Sequence, residues 1–340
     1  MRTNWPPPIW LVGEKPVDRW IGRFGGLWIA AVGAVLFVFL ILVGGLLLDN
    51  GAAVTVGLLV GAVTVAASFV YTMAYRLVPR DTMSLSRLLL AFGLGGLIAV
   101  ALGSTLDSSV LKLTGGGSAP TLTVLALAGI TEELAKIIAV VAVSYKLRDK
   151  SMRNGLFLGG AVGLGFAALE DLAYAVNFYQ HPPELLHLTP ILSALVLVPV
   201  RGLLTPLLHP LYTALLGAAL FAASKNGRFR VRPLVIAAYL AVSFAHGLWD
   251  ASAGLLQIVP PRLQLVLAPL VVLVIYPGII VGSGLLWIKV ARRARHAFHS
   301  RVLWWLAAPP GGGSVSLPQD PAFPPPAAPS WAPPAPHTRA

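Results

Sequence analysis

The sequence predicts an all-α, polytopic membrane protein of about eight transmembrane helices with both termini in the cytoplasm. Three observations carry this prediction. The 340 residues are 56% hydrophobic and only 11% charged, where a soluble domain carries about 25% charged residues. Apolar runs of the length that spans a bilayer, about 20 residues, recur along most of the chain. Lys and Arg cluster between those runs, and no alternating strand pattern suggests a barrel.

The apolar runs give spans at about 25–48, 53–75, 88–106, 119–145, 154–178, 203–223, 233–256 and 263–289. The N-terminal segment holds Arg2, Lys15, Arg19 and Arg23. The second loop has Arg76, Arg80 and Arg87; the fourth has Lys146, Arg148, Lys150 and Arg153; the sixth has Lys225, Arg228, Arg230 and Arg232. The last span runs into Lys289, Arg292, Arg293, Arg295 and Arg301. These groups hold 20 of the 25 Lys and Arg, whereas the opposite loops hold only Lys112 and Arg262. The positive-inside rule then puts both termini in the cytoplasm, and an odd number of spans would break the alternation. The formal charge of +12 is thereby assigned to anionic lipid, not to nucleic acid. The chain has no cysteine, which excludes disulfides, thiolate ligands and a Cys nucleophile.

Three regions follow: a cytoplasmic N-terminal segment (1–24), a transmembrane domain (25–300) with its motif core at 120–255, and a tail (301–340). The tail is rich in Pro, Ala and Gly from Pro309 onward and cannot build a core. The first span is too long for a signal-peptide core, so it is read as retained. The sixth apolar region is too long. As one helix, 190–223 would measure about 51 Å at 1.5 Å per residue, against a hydrocarbon core of about 30 Å. Pro199, Gly202 and Pro206 are the natural breaks. The expectation is a short interfacial or re-entrant piece before Arg201 and the true span after it, with Arg201 snorkelling to the outer interface.

The stretch GITEELAKIIAV (129–140) sets Glu132, Glu133 and Lys136 inside an apolar run. Glu170 and Asp171 lie in the fifth span, His209 in the sixth, His246 and Asp250 in the seventh. Five of the thirteen acidic residues thus fall at membrane depth. Facing lipid, these groups would together cost on the order of 15 kcal/mol. They must face one another, a metal or water. Counted from the cytoplasmic ends at 1.5 Å per residue, Glu132, His209 and His246 all lie roughly 20 Å up, Glu170 at roughly 24 Å, and Asp250 somewhat higher. Four helices therefore bring carboxylates and imidazoles to one layer.

Spacing within the helices agrees. Lys136 shares a face with Glu132 (i, i+4) and Glu133 (i, i+3), as do Phe166 with Glu170 and His246 with Asp250. Asp250 can orient the His246 ring. Asp171 points about 100° away from Glu170 and is read as supporting. The small residues of the fifth span, with Gly159-xxx-Gly163 among them, permit close helix approach. Each feature alone has a structural alternative. Glu133 with Lys136 can be a neutralising pair, and one membrane histidine is often an interhelical hydrogen bond. His181, His187, His296 and His299 fall in loops or the basic flank and are read as solvated.

With no comparable Ser or Cys constellation, the set points to an activated water and to peptide hydrolysis, by either of two routes. In one, His209 and His246 with one carboxylate hold Zn²⁺ and a glutamate is the general base, Glu132 being the choice for the base and Glu170 a ligand or second acid. In the other, a buried glutamate activates water without metal and the histidines stabilise the oxyanion. HExxH is absent, so a metal site would be assembled from separate helices.

The motifs also resemble a known family. Glu132-Glu133-Leu-Ala-Lys136 matches EExxK, Phe166-Ala-Ala-Leu-Glu170 matches FxxxE, and His246-Gly-Leu-Trp-Asp250 matches HxxxD. Thr205-Pro206-Leu-Leu-His209, followed by Thr213-Ala-Leu-Leu-Gly217, matches a further block. In this order the set resembles the PrsW intramembrane proteases, distant relatives of the CAAX prenyl endopeptidases and bacteriocin-processing proteases. The resemblance covers about 120–255. It implies a multi-pass membrane protease acting on membrane-anchored proteins, anti-sigma factors among them. It places Glu132, Glu133, Glu170, His209, His246 and Asp250 in the site, with Lys136, Phe166 and Asp171 in support. The family has been classed as both metallo- and glutamic-type. Two departures stand out: Asp171 where relatives often have Asn, and Pro210 directly after His209, which is expected to distort that helix. The rival readings are a proton-coupled transporter using the Glu/His/Lys set as a relay, and a degenerate protease that binds without cutting. Inverted repeats and paired broken helices would mark the transporter, and only one broken region is visible.

Overall fold

The computed structural model describes residues 19–76, 83–115, 121–147, 149–182, 188–225 and 227–307. The expected N-terminal segment up to residue 18, the tail from 308 and His187 lie outside the described residues. Among the described residues the chain is helical and holds no strand. The first helix is α1 (Arg19–Phe39), continued by π-helical turns over Leu40–Leu47; α2 is Gly51–Arg76. A short α3 (Leu85–Leu90) passes through a π turn (Ala91–Gly95) into α4 (Gly96–Leu113). Then come α5 (Leu122–Ser144), α6 (Met152–Gln180), α7 (Pro190–Leu204), α8 (His209–Ala223), α9 (Pro233–Ile258) and α10 (Pro261–Leu270). A π segment (Val271–Ile275) leads to α11 (Tyr276–Ala307), so 301–307, expected in the tail, are helical. Residues up to 291 form one compact unit; the described part of the second, 292–307, is the end of α11.

Among the described residues, seven helical stretches are long and apolar enough to cross a membrane: Phe24–Leu47, Gly51–Ala74, Leu85–Leu113, Met152–Gln180, Pro190–Ala223, Pro233–Leu256 and Arg262–Ala294. The eighth expected span, α5, has 23 residues, about 35 Å at 1.5 Å per residue. It is long enough, but Glu132, Glu133 and Lys136 keep it out of the apolar set. The exposed surface carries large apolar side chains such as Leu47, Phe244, Leu265 and Leu273. Lipid, unlike water, accepts such a surface.

Local signals set the helix ends. Thr121, Ser151 and Thr189 accept backbone N–H bonds as N-caps of α5, α6 and α7, and Pro190 and Pro233 open their helices in the first turn, where no N–H is needed. The central helix is α6: 72% of its most apolar stretch is buried, against 6% for the last span. It packs most extensively along α8 and also touches α2, α7, α4 and α5. Gly155, Gly159 and Gly163 form the contact stripe toward α8. A Cβ on Gly163 would lie 2.7 Å from both His209 O and Pro210 Cα, and one on Gly159 would lie 2.2 Å from Thr213 O. The two backbones therefore touch, as small-residue stripes permit in membranes.

The long apolar region does break, but not where expected. Pro199 and Gly202 lie inside α7, and the chain turns at a 3₁₀ segment, Thr205–Leu207, that contains Pro206. At about 22 Å, the 15-residue α8 is too short to cross alone, so α7 and α8 share the crossing. Pro210 does not distort a helix. It sits in the first turn of α8, where its missing N–H removes no bond and its fixed φ favours a start.

Candidate active site

The site is built around Lys136. Its side chain is fully buried, with Nζ 3.0 Å from Glu133 Oε1, 3.2 Å from Glu132 Oε2 and 3.0 Å from His209 Nδ1. The ammonium also lies 3.8 Å from the centroid of the Phe166 ring. An ammonium has three protons and no lone pair, so its three polar contacts use all of its donors. They also fix the His209 tautomer. Nδ1 must accept from the ammonium, which leaves the proton on Nε2, facing Glu170 Oε2 at 2.9 Å.

Glu170 and Asp171 are held from the other side by Arg201. Nη2 lies 2.7 Å from Glu170 Oε2 and Nε 2.7 Å from Asp171 Oδ1, while the guanidinium stacks 3.6 Å above the Tyr174 ring. Glu170 Oε2 and Arg201 Nε make these as charge contacts off the hydrogen-bond direction. Asp171 Oδ1 also accepts from Thr205 Oγ1 at 2.9 Å, which ties α6 to the α7–α8 break. Arg201, expected to snorkel, instead turns its guanidinium toward these two carboxylates of α6. Asp171 thus sits against Arg201 and Thr205, beside Glu170.

His246 is 2% exposed. Its Nδ1 lies 3.1 Å from Glu133 Oε1 and donates there, which turns Nε2 to the other side of the ring. That nitrogen lies 3.2 Å from Asp250 Oδ2 and 3.5 Å from Glu132 Oε2 with no aligned hydrogen bond. A carboxylate behind one ring nitrogen with the other free is the arrangement that orients histidine ligands. The His209 and His246 rings meet edge to face, centroids 4.9 Å apart, with Phe166 5.2 Å from His209 and Tyr212 5.9 Å from His246. Burial falls toward one rim, where the side chains of Glu170, Arg201 and Asp250 are 19%, 24% and 27% exposed.

The expected convergence is thus present: Glu132, His209 and His246 offer donor atoms all within 4.8 Å of one another. The carboxylate in that group is Glu132, where the sequence had pointed to Glu170; Arg201 draws Glu170 to the far side of His209. Two neighbours were not foreseen. The first is Arg201 as the partner of Glu170. The second is Asp107 of α4, which accepts a short hydrogen bond from Thr131 Oγ1, one residue before Glu132. Ending the third span at 106 put Asp107 outside the membrane layer; the unbroken helical pattern to Leu113 was the signal that could have kept it in.

Every residue of this cluster lies inside 84–277, the segment matched by the family model described as PrsW family intramembrane metalloprotease. The chain belongs to the PrsW family. It is a multi-pass membrane protein and an intramembrane protease. Comparisons with curated proteins and with solved structures gave no match. The matched segment opens just before α3 and closes at the start of α11, so the PrsW region comprises α3 to α10, the helices that build the site. The metalloprotease description agrees with a cluster of one carboxylate and two imidazoles placed to hold an ion.

Proposed function

We propose that the protein hydrolyses a peptide bond of a membrane-anchored protein with a water held among Glu132, His209 and His246. The observation that carries this reading is the buried trio itself, whose donor atoms lie within 4.8 Å of one another in otherwise largely apolar helices. Glu132 takes the proton of the attacking water. Lys136 keeps its carboxylate in place through Oε2 at 3.2 Å, leaving the other oxygen for the proton. Glu133 is wholly buried, shared by Lys136 and His246, and aligns both. Glu170, clamped by Arg201, holds the His209 ring, and Asp250 flanks His246 Nε2 at the exposed rim.

The three residues fit a divalent ion of the zinc class. The donor set is two imidazoles and a carboxylate, and His246 Nε2 is a buried polar atom with no aligned partner. In a metal route His246 and Glu132 would hold the ion, joined by His209 through Nε2 once that nitrogen passes its proton to Glu170, and the ion would supply Lewis acidity and lower the pKa of a bound water to about 7. Orientation follows the charge clusters, with both termini cytoplasmic and the site in the half of the bilayer away from them.

The test uses protein purified and reconstituted in vesicles with single-span reporter proteins, products being mapped by mass spectrometry. Glu132→Gln is expected to lower cleavage at least ~100-fold, the scale of general base catalysis. Undiminished cleavage by that variant removes the assignment. Proton-driven solute uptake without cleavage by the parent protein would move the cluster to transport. Metal analysis of the same sample, with a chelator arm, separates the zinc-class from the metal-free route.

A further inference from the structure

A cavity of about 180 Å³ opens beside the proposed catalytic trio and is not used by it. Its inner wall is His209 and Asp250, and its floor is Thr205 and Leu208 at the break between α7 and α8. One side is a stripe of α7, Leu197, Val200, Arg201 and Leu204, spaced i, i+3, i+4, i+7 and hence on one helix face. The opposite side is Trp249 of α9, whose ring is fixed by stacking on Tyr276 at 3.8 Å. Elsewhere α7 packs through Ala194 and Val198 against α1, α2 and α6, so this stripe is its spare face. No more than a marginal contact joins α7 to α9, whereas α5–α9, α4–α5 and α6–α8 are closely packed. Val200 and Leu204, 51% and 38% exposed, stand at the outer lip. The cavity therefore lies at a seam where α7 and α9 line a common space without packing closely, and two of its lining residues, Val200 and Leu204, are exposed.

We propose that the seam between α7 and α9 admits the substrate and that the cavity receives an apolar side chain next to the bond to be cut. This rests on the proteolytic reading above. The size agrees: a cavity of about 150 Å³ lined by apolar side chains holds benzene, so 180 Å³ takes a side chain up to leucine, methionine or phenylalanine. The charge pattern agrees too. Arg201 is already met by Glu170 and Asp171 at 2.7 Å each, so it has no charge left for an acidic side chain. Asp250 adds further repulsion and is itself engaged by His246. The pocket selects by shape and apolarity, and the chemistry remains with His209, His246 and Glu132.

Two arms test this. In the first, the residues flanking the mapped cut in a single-span reporter are varied over Ala, Leu, Phe, Asp and Lys. Leu and Phe are expected to be preferred at one flanking position. Leu204→Trp, which fills the cavity, is expected to lower the Leu-to-Ala ratio of kcat/KM at least ~10-fold, the discrimination that one or two methylenes give in an apolar pocket. An unchanged ratio, or a preference for Asp or Lys, overturns the proposal. The second arm needs no cleavage. The chain has no cysteine, so Leu204→Cys in the Glu132→Gln background carries the only thiol. Disulfide capture of single-cysteine reporter spans is expected to exceed that by Leu97→Cys, an exposed α4 position, by about the same factor. Equal capture overturns the proposal. A parent protein that cuts no reporter refutes the proteolytic reading, while the capture arm still decides the seam.

Discussion

Lys136→Met tests whether one ammonium holds the site together. Methionine keeps an apolar stem of nearly the same length and removes the ammonium. The lost contacts are those to Glu133 at 3.0 Å, Glu132 at 3.2 Å and His209 Nδ1 at 3.0 Å. Glu133 has no exposed surface and its Oε2 already lacks a partner, so no water can replace the ammonium there. Breaking a buried ion pair from one side destabilises by about 3–5 kcal/mol. Glu132 and Glu133 share one cation, so the figure applies once. For a chain of this size the melting temperature moves by about 2 °C per kcal/mol, giving an expected fall of ~6–10 °C. Thermal unfolding of the purified protein in detergent, followed by helical circular dichroism, measures it. The double variant Glu133→Gln/Lys136→Met removes the stranded charge along with its partner, so it should recover at least half of the loss. A single variant that melts within ~2 °C of the parent would show that the ammonium does not carry the carboxylates, and the scheme built around it would fall.

Other outcomes follow from the same geometry. Gly163→Ala puts a methyl 2.7 Å from the backbone at His209 and Pro210, while Gly160→Ala meets nothing closer than 3.8 Å. The first should lose cleavage by at least ~10-fold, through displacement of His209. The second should be neutral, or stabilised by up to about 1 kcal/mol through better helix propensity, and similar losses in both would refute the close-approach argument. Arg201→Lys keeps the charge but cannot hold Glu170 and Asp171 with one planar fork, so kcat should fall ~10–100-fold, as for other residues that orient a ligand, with the melting temperature nearly unchanged. Cysteines placed singly at Lys225 and Arg262 should label from opposite sides of sealed vesicles; labelling from one side would break the charge-derived orientation.

Most of the helical framework could be read from residue order. Apolar runs located the long helices, and the charged motif on α5 announced the site, because charge in lipid must be answered by other charge. The break in the long region was readable as a need, from its length, but not as a place. Three candidates competed, and the turn at Thr205–Leu207 was chosen by contacts distant in sequence, Thr205 to Asp171 and His209 to Lys136. Pro210 illustrates the same limit. Its chemistry is fixed, yet its effect depends on whether a helix is continuing or beginning. Arg201 was assigned to the interface because a lone cation in an apolar run usually goes there. Asp107 was lost to a boundary drawn seven residues too early.

The order of residues by itself determined that this is a membrane-spanning helical protein, that its ionisable groups must meet, and which helices carry them, since hydropathy, capping and i, i+4 spacing are local properties. Only the tertiary structure decided which carboxylate joins the two imidazoles, which one Arg201 withdraws, and where a cavity remains beside them. Those outcomes depend on how closely α6 and α8 approach and on where α7 and α9 fail to meet. Such distances are set by packing many side chains at once, and no single stretch of sequence contains them.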